Sequence, residues 1–224
     1  MKTIDIKDFD AVIFDMDGVL IDSEPLWKIA MEETFTEIGF NLQRKDFEKT
    51  VGLRIDEVIA FWFNYMNYNG ASEKETEERI IYKMKELIQK NGAPLPGVRE
   101  TLTRLAELDK KIGLATSSYT TLIETVLSVL DIEDAFHYTH SAENEEFGKP
   151  HPAVYLHVAN QLNVSPQKCL VIEDSLNGVI SGKAARMTVV CIPEKTHTPN
   201  PKLQVSDIQF DSMETFYKKM LLPK

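Results

Sequence analysis

Ala11-Val-Ile-Phe-Asp15-Met-Asp17-Gly18 is a four-residue apolar run that stops abruptly at two carboxylates and a glycine. Short continuous runs of this kind fit strands buried on both faces, as in a parallel sheet. Three more follow: Ile112 to Ala115, Cys169 to Ile172 and Thr188 to Ile192. Helix-length periodic segments lie between them, at Val98 to Leu108, Thr121 to Leu130 and Ala153 to Leu162. The alternation predicts an α/β fold, a Rossmann-like doubly wound parallel sheet. It is broken once, from about Asp22 to Asn91, where only helical patterning appears. Ser23 and Pro25 open that stretch, and the Gly92-Ala-Pro-Leu-Pro-Gly97 turn closes it. The expected organisation is a core of residues 1–21 and 92–224 with a small all-α cap of residues 22–91.

In open α/β sheets ligands bind beyond the carboxyl ends of the strands. The residues there are Asp15-Met-Asp17-Gly18, Thr116-Ser117-Ser118 and Glu173-Asp174-Ser175. With 14 Asp and 10 Gly in 224 residues, Asp-x-Asp-Gly is expected about 0.04 times by chance. Its place after an apolar run favours a chemical role for Asp15 and Asp17 over a solvated turn. Glu173-Asp174 alone reads as first-turn helix charge. Beside Asp15 and Asp17, the same pair reads as a set of oxygen ligands, because converging carboxylates repel unless a hard cation such as Mg²⁺ neutralises them. Thr116-Ser117-Ser118 can cap a helix, with Thr121 and Glu124 as a capping box, or hold phosphate oxygens. Lys149, set between Gly148 and Pro150 ahead of a helix, can offset the carboxylates and bind phosphate. His151 beside it lacks metal-ligand spacing and reads as structural.

These segments, in this order, resemble the haloacid dehalogenase superfamily. Asp15-Met-Asp-Gly-Val-Leu-Ile-Asp-Ser-Glu24 is similar to its first motif, Thr116 to the second, Lys149 in Gly-Lys-Pro-His-Pro152 to the third, and Glu173-Asp174-Ser-Leu-Asn-Gly178 to the fourth. The insertion after Asp22 matches its small helical cap. More closely the chain resembles the β-phosphoglucomutase-like branch and, within it, bacterial 2-deoxyglucose-6-phosphate phosphatases, with Val51-Gly-Leu-Arg-Ile-Asp56 contributing. The resemblance implies Asp15 as nucleophile and Asp17 as acid and base. It also implies Mg²⁺ on the Asp15 carboxylate, the Asp17 carbonyl and Asp174 with Glu173 supporting, and phosphate binding by Thr116, Ser117 and Lys149. The implied substrate is a small phosphorylated metabolite, a sugar phosphate such as a hexose 6-phosphate or 2-deoxyglucose 6-phosphate.

Three other functions compete. A 2-haloacid dehalogenase needs neither an acid at Asp17 nor a metal site at Asp174. A phosphoglucomutase-type enzyme would carry a histidine where Trp27 stands and a lysine where Tyr119 stands, and both departures favour hydrolysis. A catalytically silent binding module would lack Asp15, Asp17 or Lys149. In the cap, Arg54 beside Gly52 is expected to contact substrate, while Trp27, Trp62 and Phe61 either line the site or pack the cap.

A net charge of −10 disfavours nucleic acid and acidic membranes as partners. No run approaches the 18 apolar residues of a membrane span. The first ten residues are polar and charged, unlike a secretory signal, and Cys169 and Cys191 read as buried free thiols, so a reducing cytoplasm is expected. A monomer is the default, with a homodimer the alternative.

Overall fold

The computed structural model describes residues 4–50, 52–194 and 200–222, so Val51 of the cap stretch lies outside it. Six parallel strands form one sheet in the order β3-β2-β1-β4-β5-β6. They are β1 (Ala11–Phe14), β2 (Lys111–Thr116), β3 (Tyr138–Ser141), β4 (Cys169–Glu173), β5 (Thr188–Cys191) and β6 (Ile208–Gln209). The four apolar runs become β1, β2, β4 and β5. The two edge strands escaped the sequence because edge positions need not be apolar on both faces: Tyr-Thr-His-Ser makes β3, and β6 is two residues long.

Side chains alternate across each strand. Val12 and Phe14 join one apolar cluster and Ala11 and Ile13 the other. The first cluster holds α4 (Val98–Glu107), α5 (Thr120–Leu130) and α8 (Met213–Phe216) against the sheet, and the second holds α6 (Ala153–Gln161), with Val179 of α7 (Leu176–Ala184). Cys169 and Cys191 are buried free thiols. They stand at opposite ends of paired strands, since Cys169 is level with Ala11 and Cys191 with Glu173, too far apart for a disulfide.

The stretch after β1 is helical as expected: α1 (Glu24–Glu37), α2 (Ile55–Met66) and α3 (Glu73–Asn91), with a 3-10 turn at Asp46–Thr50. Its interior is aromatic, with Phe35 between Phe40 and Phe47 and Phe47 edge-on to Trp62. This apolar interior runs without a break into the first sheet cluster, so the insertion is seated on the core by packing as well as by its two connections. One local expectation fails. Thr121 and Glu124 do not cap α5, because the helix starts a residue earlier, and the carboxylate of Glu143, from the turn after β3, accepts from the Thr120 N–H (3.2 Å) and hydroxyl (2.6 Å).

Candidate active site

The chain runs from β1 to β2 on one side and returns to β4 on the other, so strand order reverses at β1 and β4. Asp15 leaves the end of β1 and Glu173-Asp174 the end of β4, beside it. Positive φ at Gly18 (72°) turns the chain back, and its N–H donates to the Ile21 carbonyl at 2.9 Å. That turn is also a close approach. A Cβ on Gly18 would sit 2.1 Å from Asp174 Oδ2, and one on Gly178 would sit 1.7 Å from Glu173 Oε1.

Lys149 is the electrostatic centre of the floor. Its ammonium, 3% exposed, donates to Asp15 Oδ1 and Glu173 Oε1 at 2.7 Å each, and to the Ala115 carbonyl and Tyr155 hydroxyl at 3.0 Å. Glu173 is an anchor rather than an open ligand. Its Oε1 also accepts from Tyr155 (2.7 Å), and its Oε2 from the Asp174 and Ser175 N–H groups and the Ser175 hydroxyl. Burial pushes Glu173 up, but the Lys149 charge and these hydrogen bonds hold it below the ordinary carboxylate range. Burial pushes Asp15 up to about 7 against the pull of Lys149, with Glu173 and Asp17 adding to the rise. Burial and the charges of Glu173 and Asp15 likewise raise Asp174 well above its usual value.

Oxygens of Asp15, Glu173 and Asp174 lie within 4.8 Å of one another. With Glu173 saturated by five protein donors, Asp15 and Asp174 are the side chains left to meet a cation. An all-oxygen set of carboxylates fits a hard ion of the Mg²⁺ type.

Asp17 faces the other way. Its Oδ1 accepts from the Ser23 hydroxyl and from Trp27 Nε1 (3.1 Å), and its Oδ2 from the Ser118 hydroxyl (2.6 Å). Two of those donors sit at the start of α1, so Asp17 is gripped by the insertion on one side and the β2 loop on the other. Ser23 occupies the N-cap position of α1 but gives no side-chain cap, its hydroxyl being committed to Asp17.

Thr116 Oγ1 accepts from the Ser118 N–H at 3.1 Å. Ser117 Oγ is buried and has no hydrogen-bond partner among the described residues, although it borders a cavity. A buried hydroxyl left unpaired is costly, and Ser117 Oγ shares that condition with Thr34 Oγ1, Thr101 Oγ1 and Trp62 Nε1. The cavity, about 100 Å³, has Asp15, Asp17, Thr116, Ser117, Lys149 and Asp174 on its floor. Its roof is mostly apolar, formed by Trp27, Met31, Phe47, Leu53, Ile55 and Val58. Gly52 borders it as well, against Ser175.

Arg54 needs correction. Its guanidinium pairs with both oxygens of Asp56 (2.7 Å each) and donates to the carbonyls of Ala142 (2.9 Å) and Glu145 (3.0 Å). It latches the insertion to the core and does not border the cavity. Trp62 and Phe61 do not border it either: Trp62 is buried and Phe61 stacks on Tyr65. Tyr119 points toward Glu77 of α3. His151 is structural, its Nδ1 accepting from the Ala153 N–H at 3.3 Å at the start of α6. Ser23, Ser118 and Tyr155 are the partners sequence reasoning passed over. Ser23 carried a signal as the opening of the helical stretch and Ser118 as the third residue of the hydroxyl run after β2, while Tyr155 carried none.

The chain is similar to several known proteins. The chain is 39% identical over 213 residues to hexitol phosphatase B of Escherichia coli, covering 95% of this chain and 96% of that protein. It is 32% identical over 186 residues to β-phosphoglucomutase of Bacillus subtilis, covering 80% and 81%. Among solved structures, β-phosphoglucomutase from Clostridium difficile superposes with a TM-score of 0.80 at 26% identity, over 92% of each chain. A profile of the haloacid dehalogenase-like hydrolases matches residues 12–192. That span opens within β1, ahead of Asp15, and closes just past β5, so it takes in the whole carboxylate floor; the chain belongs to the haloacid dehalogenase-like hydrolase family.

Proposed function

We propose that this chain is a Mg²⁺-dependent phosphatase of phosphorylated sugars or hexitols. The observation that carries the reading is the floor of the cavity: a buried lysine set against Asp15, an unpaired Ser117 hydroxyl, and Asp17 at the border with the insertion. The similarity to hexitol phosphatase B and to a phosphorylated carbohydrates phosphatase of Thermotoga maritima (34% identical over 179 residues) supports the substrate class.

A carboxylate oxygen of Asp15 attacks phosphorus in line as the bond to the leaving oxygen breaks, giving an aspartyl-phosphate. Asp17 hands a proton to the leaving oxygen. It then takes one from the water that attacks phosphorus, which frees Asp15 and inorganic phosphate. Thr116, Ser117 and Lys149 hold the phosphoryl oxygens as charge shifts among them. Asp15, Asp174 and the Asp17 carbonyl would hold Mg²⁺, which would supply positive charge against those oxygens.

Residues 22–91 act as the cap. Their roof leaves about 100 Å³, against roughly 300 Å³ at the small end of ordinary ligand sites, so the cap parts to admit a sugar and closes to exclude bulk water. Trp27 stands where a mutase would carry a histidine. An indole N–H cannot titrate in the physiological range, which favours transfer to water over return to sugar.

A panel of hexose, hexitol and 2-deoxyglucose phosphates, assayed with Mg²⁺ and with a chelator, tests the proposal on wild type and Asp15→Asn. Turnover is expected only for wild type with metal. Activity surviving chelation or the substitution would overturn the mechanism. β-Glucose 1-phosphate, scored for both free phosphate and glucose 6-phosphate, separates hydrolysis from mutase chemistry.

A further inference from the structure

Away from the floor, at the edge of the sheet, three side chains from three elements meet around one oxygen. His140 lies on β3, Glu145 follows the turn at Ala142–Asn144, and His157 lies on α6. Glu145 Oε1 is 2.7 Å from His140 Nε2 and 3.1 Å from His157 Nδ1, and the two imidazoles overlap with centroids 3.7 Å apart. We propose that His140, Glu145 and His157 form a second metal site, for a borderline transition-metal cation of the zinc class.

The donor set carries the choice of metal. Two imidazoles and one carboxylate suit Zn²⁺ and its neighbours, whereas Mg²⁺ takes oxygen ligands, so the two sites sort cations by chemistry. The fit is near. Ligand atoms about 2.0–2.1 Å from a tetrahedral ion stand roughly 3.4 Å apart, so the present 2.7 and 3.1 Å separations need to open by about 0.7 and 0.3 Å. Each lone pair lies in its ring plane and the planes are 21° apart, so one ring has to turn. His157 has more room to do so, its side chain being 36% exposed against 8% for His140, and the turn gives up its 3.2 Å contact with the Tyr138 hydroxyl. Its exposed side also leaves the fourth position to water.

Neighbouring groups set the starting positions of these ligands. The Tyr138 hydroxyl lies 3.2 Å from His157 Nε2, directing Nδ1 at Glu145. The loop carrying Glu145 is clamped from the insertion by Arg54, which donates to the Glu145 and Ala142 carbonyls. A metal here would brace the segment on which the Arg54 latch closes.

Zn²⁺ titration of the whole protein by calorimetry, with Mg²⁺ saturating, tests this without any turnover assay, so its outcome is independent of the proposed phosphatase chemistry. One equivalent is expected to bind with a micromolar or tighter Kd. His157→Ala and Glu145→Gln, checked for native fold by circular dichroism, should each weaken it at least 100-fold, while Asp174→Asn should leave it in place. Absence of a Zn²⁺ equivalent in wild type, its survival in both folded variants, or its loss in Asp174→Asn would overturn the assignment.

Discussion

Lys149→Met replaces a buried cation by an apolar side chain of similar length and leaves Asp15 and Glu173 facing each other. Each ion pair, at 2.7 Å, is worth roughly 6 kcal/mol at an effective dielectric of 20. The cost of burying the ammonium offsets much of that, so the net loss should be about 3–5 kcal/mol, as for other broken buried pairs. Set against a total stability of roughly 5–15 kcal/mol, this is readily measured. The sign of its pH dependence is fixed by the structure. Without Lys149, both carboxylates are raised above their unfolded values, so the native variant binds more protons than the unfolded chain and gains stability as pH falls. A group titrating above pH 8 gains about 3 kcal/mol between pH 8 and 5.5. In wild type Asp15 alone, raised to about 7, gains part of this, because Lys149 holds Glu173 down. Urea unfolding without Mg²⁺ should therefore show a larger deficit for the variant at pH 8 than at pH 5.5. A deficit under about 1 kcal/mol at pH 8, or one equal at both values, would refute the account of Lys149 as the neutralising centre.

Protons and Mg²⁺ compete for Asp15 and Asp174, so the Kd for Mg²⁺ should rise by roughly tenfold or more per unit as pH falls below about 7; calorimetry showing a constant Kd from pH 5.5 to 8 would contradict this. Trp27→Phe removes one donor to Asp17 and keeps the apolar wall, so kcat should drop about 10- to 100-fold with an unchanged melting temperature; a change confined to KM would place Trp27 on the substrate instead. Arg54→Met should cost about 1–3 kcal/mol of stability by leaving the Glu145 carbonyl without its donor and the Ala142 carbonyl with only the Glu145 N–H, which thermal unfolding would detect, and an unchanged melting temperature would dismiss the latch.

The carboxylate floor was legible because its residues follow strands at fixed offsets. Asp15, Asp17 and Asp174 each come within three residues of the end of an apolar run, and Lys149 is flagged by the glycine and proline around it. What stayed hidden depended on contacts between distant residues. Tyr155 reads as an ordinary apolar-face helix residue until the fold sets its hydroxyl 2.7 Å from Glu173. Arg54 looked free beside its glycine because its acceptors are backbone carbonyls some 90 positions away, which leave no trace in composition or periodicity. The start of α5 was misplaced for a similar reason: a carboxylate 23 residues on does the work of a local cap.

The two glycines under the acid pair bear on how such a protein can diverge. With Gly18 pressed on Asp174 and Gly178 on Glu173, a Cβ added at either position has to push its partner carboxylate out of place. Change at either glycine is therefore tied to the geometry of the carboxylate beside it. The roof is assembled from Met31, Phe47, Leu53, Ile55 and Val58, which can be exchanged one at a time within an apolar interior. Drift in substrate preference is thus channelled into the insertion, and relatives with different substrates should differ above the cavity long before they differ below it.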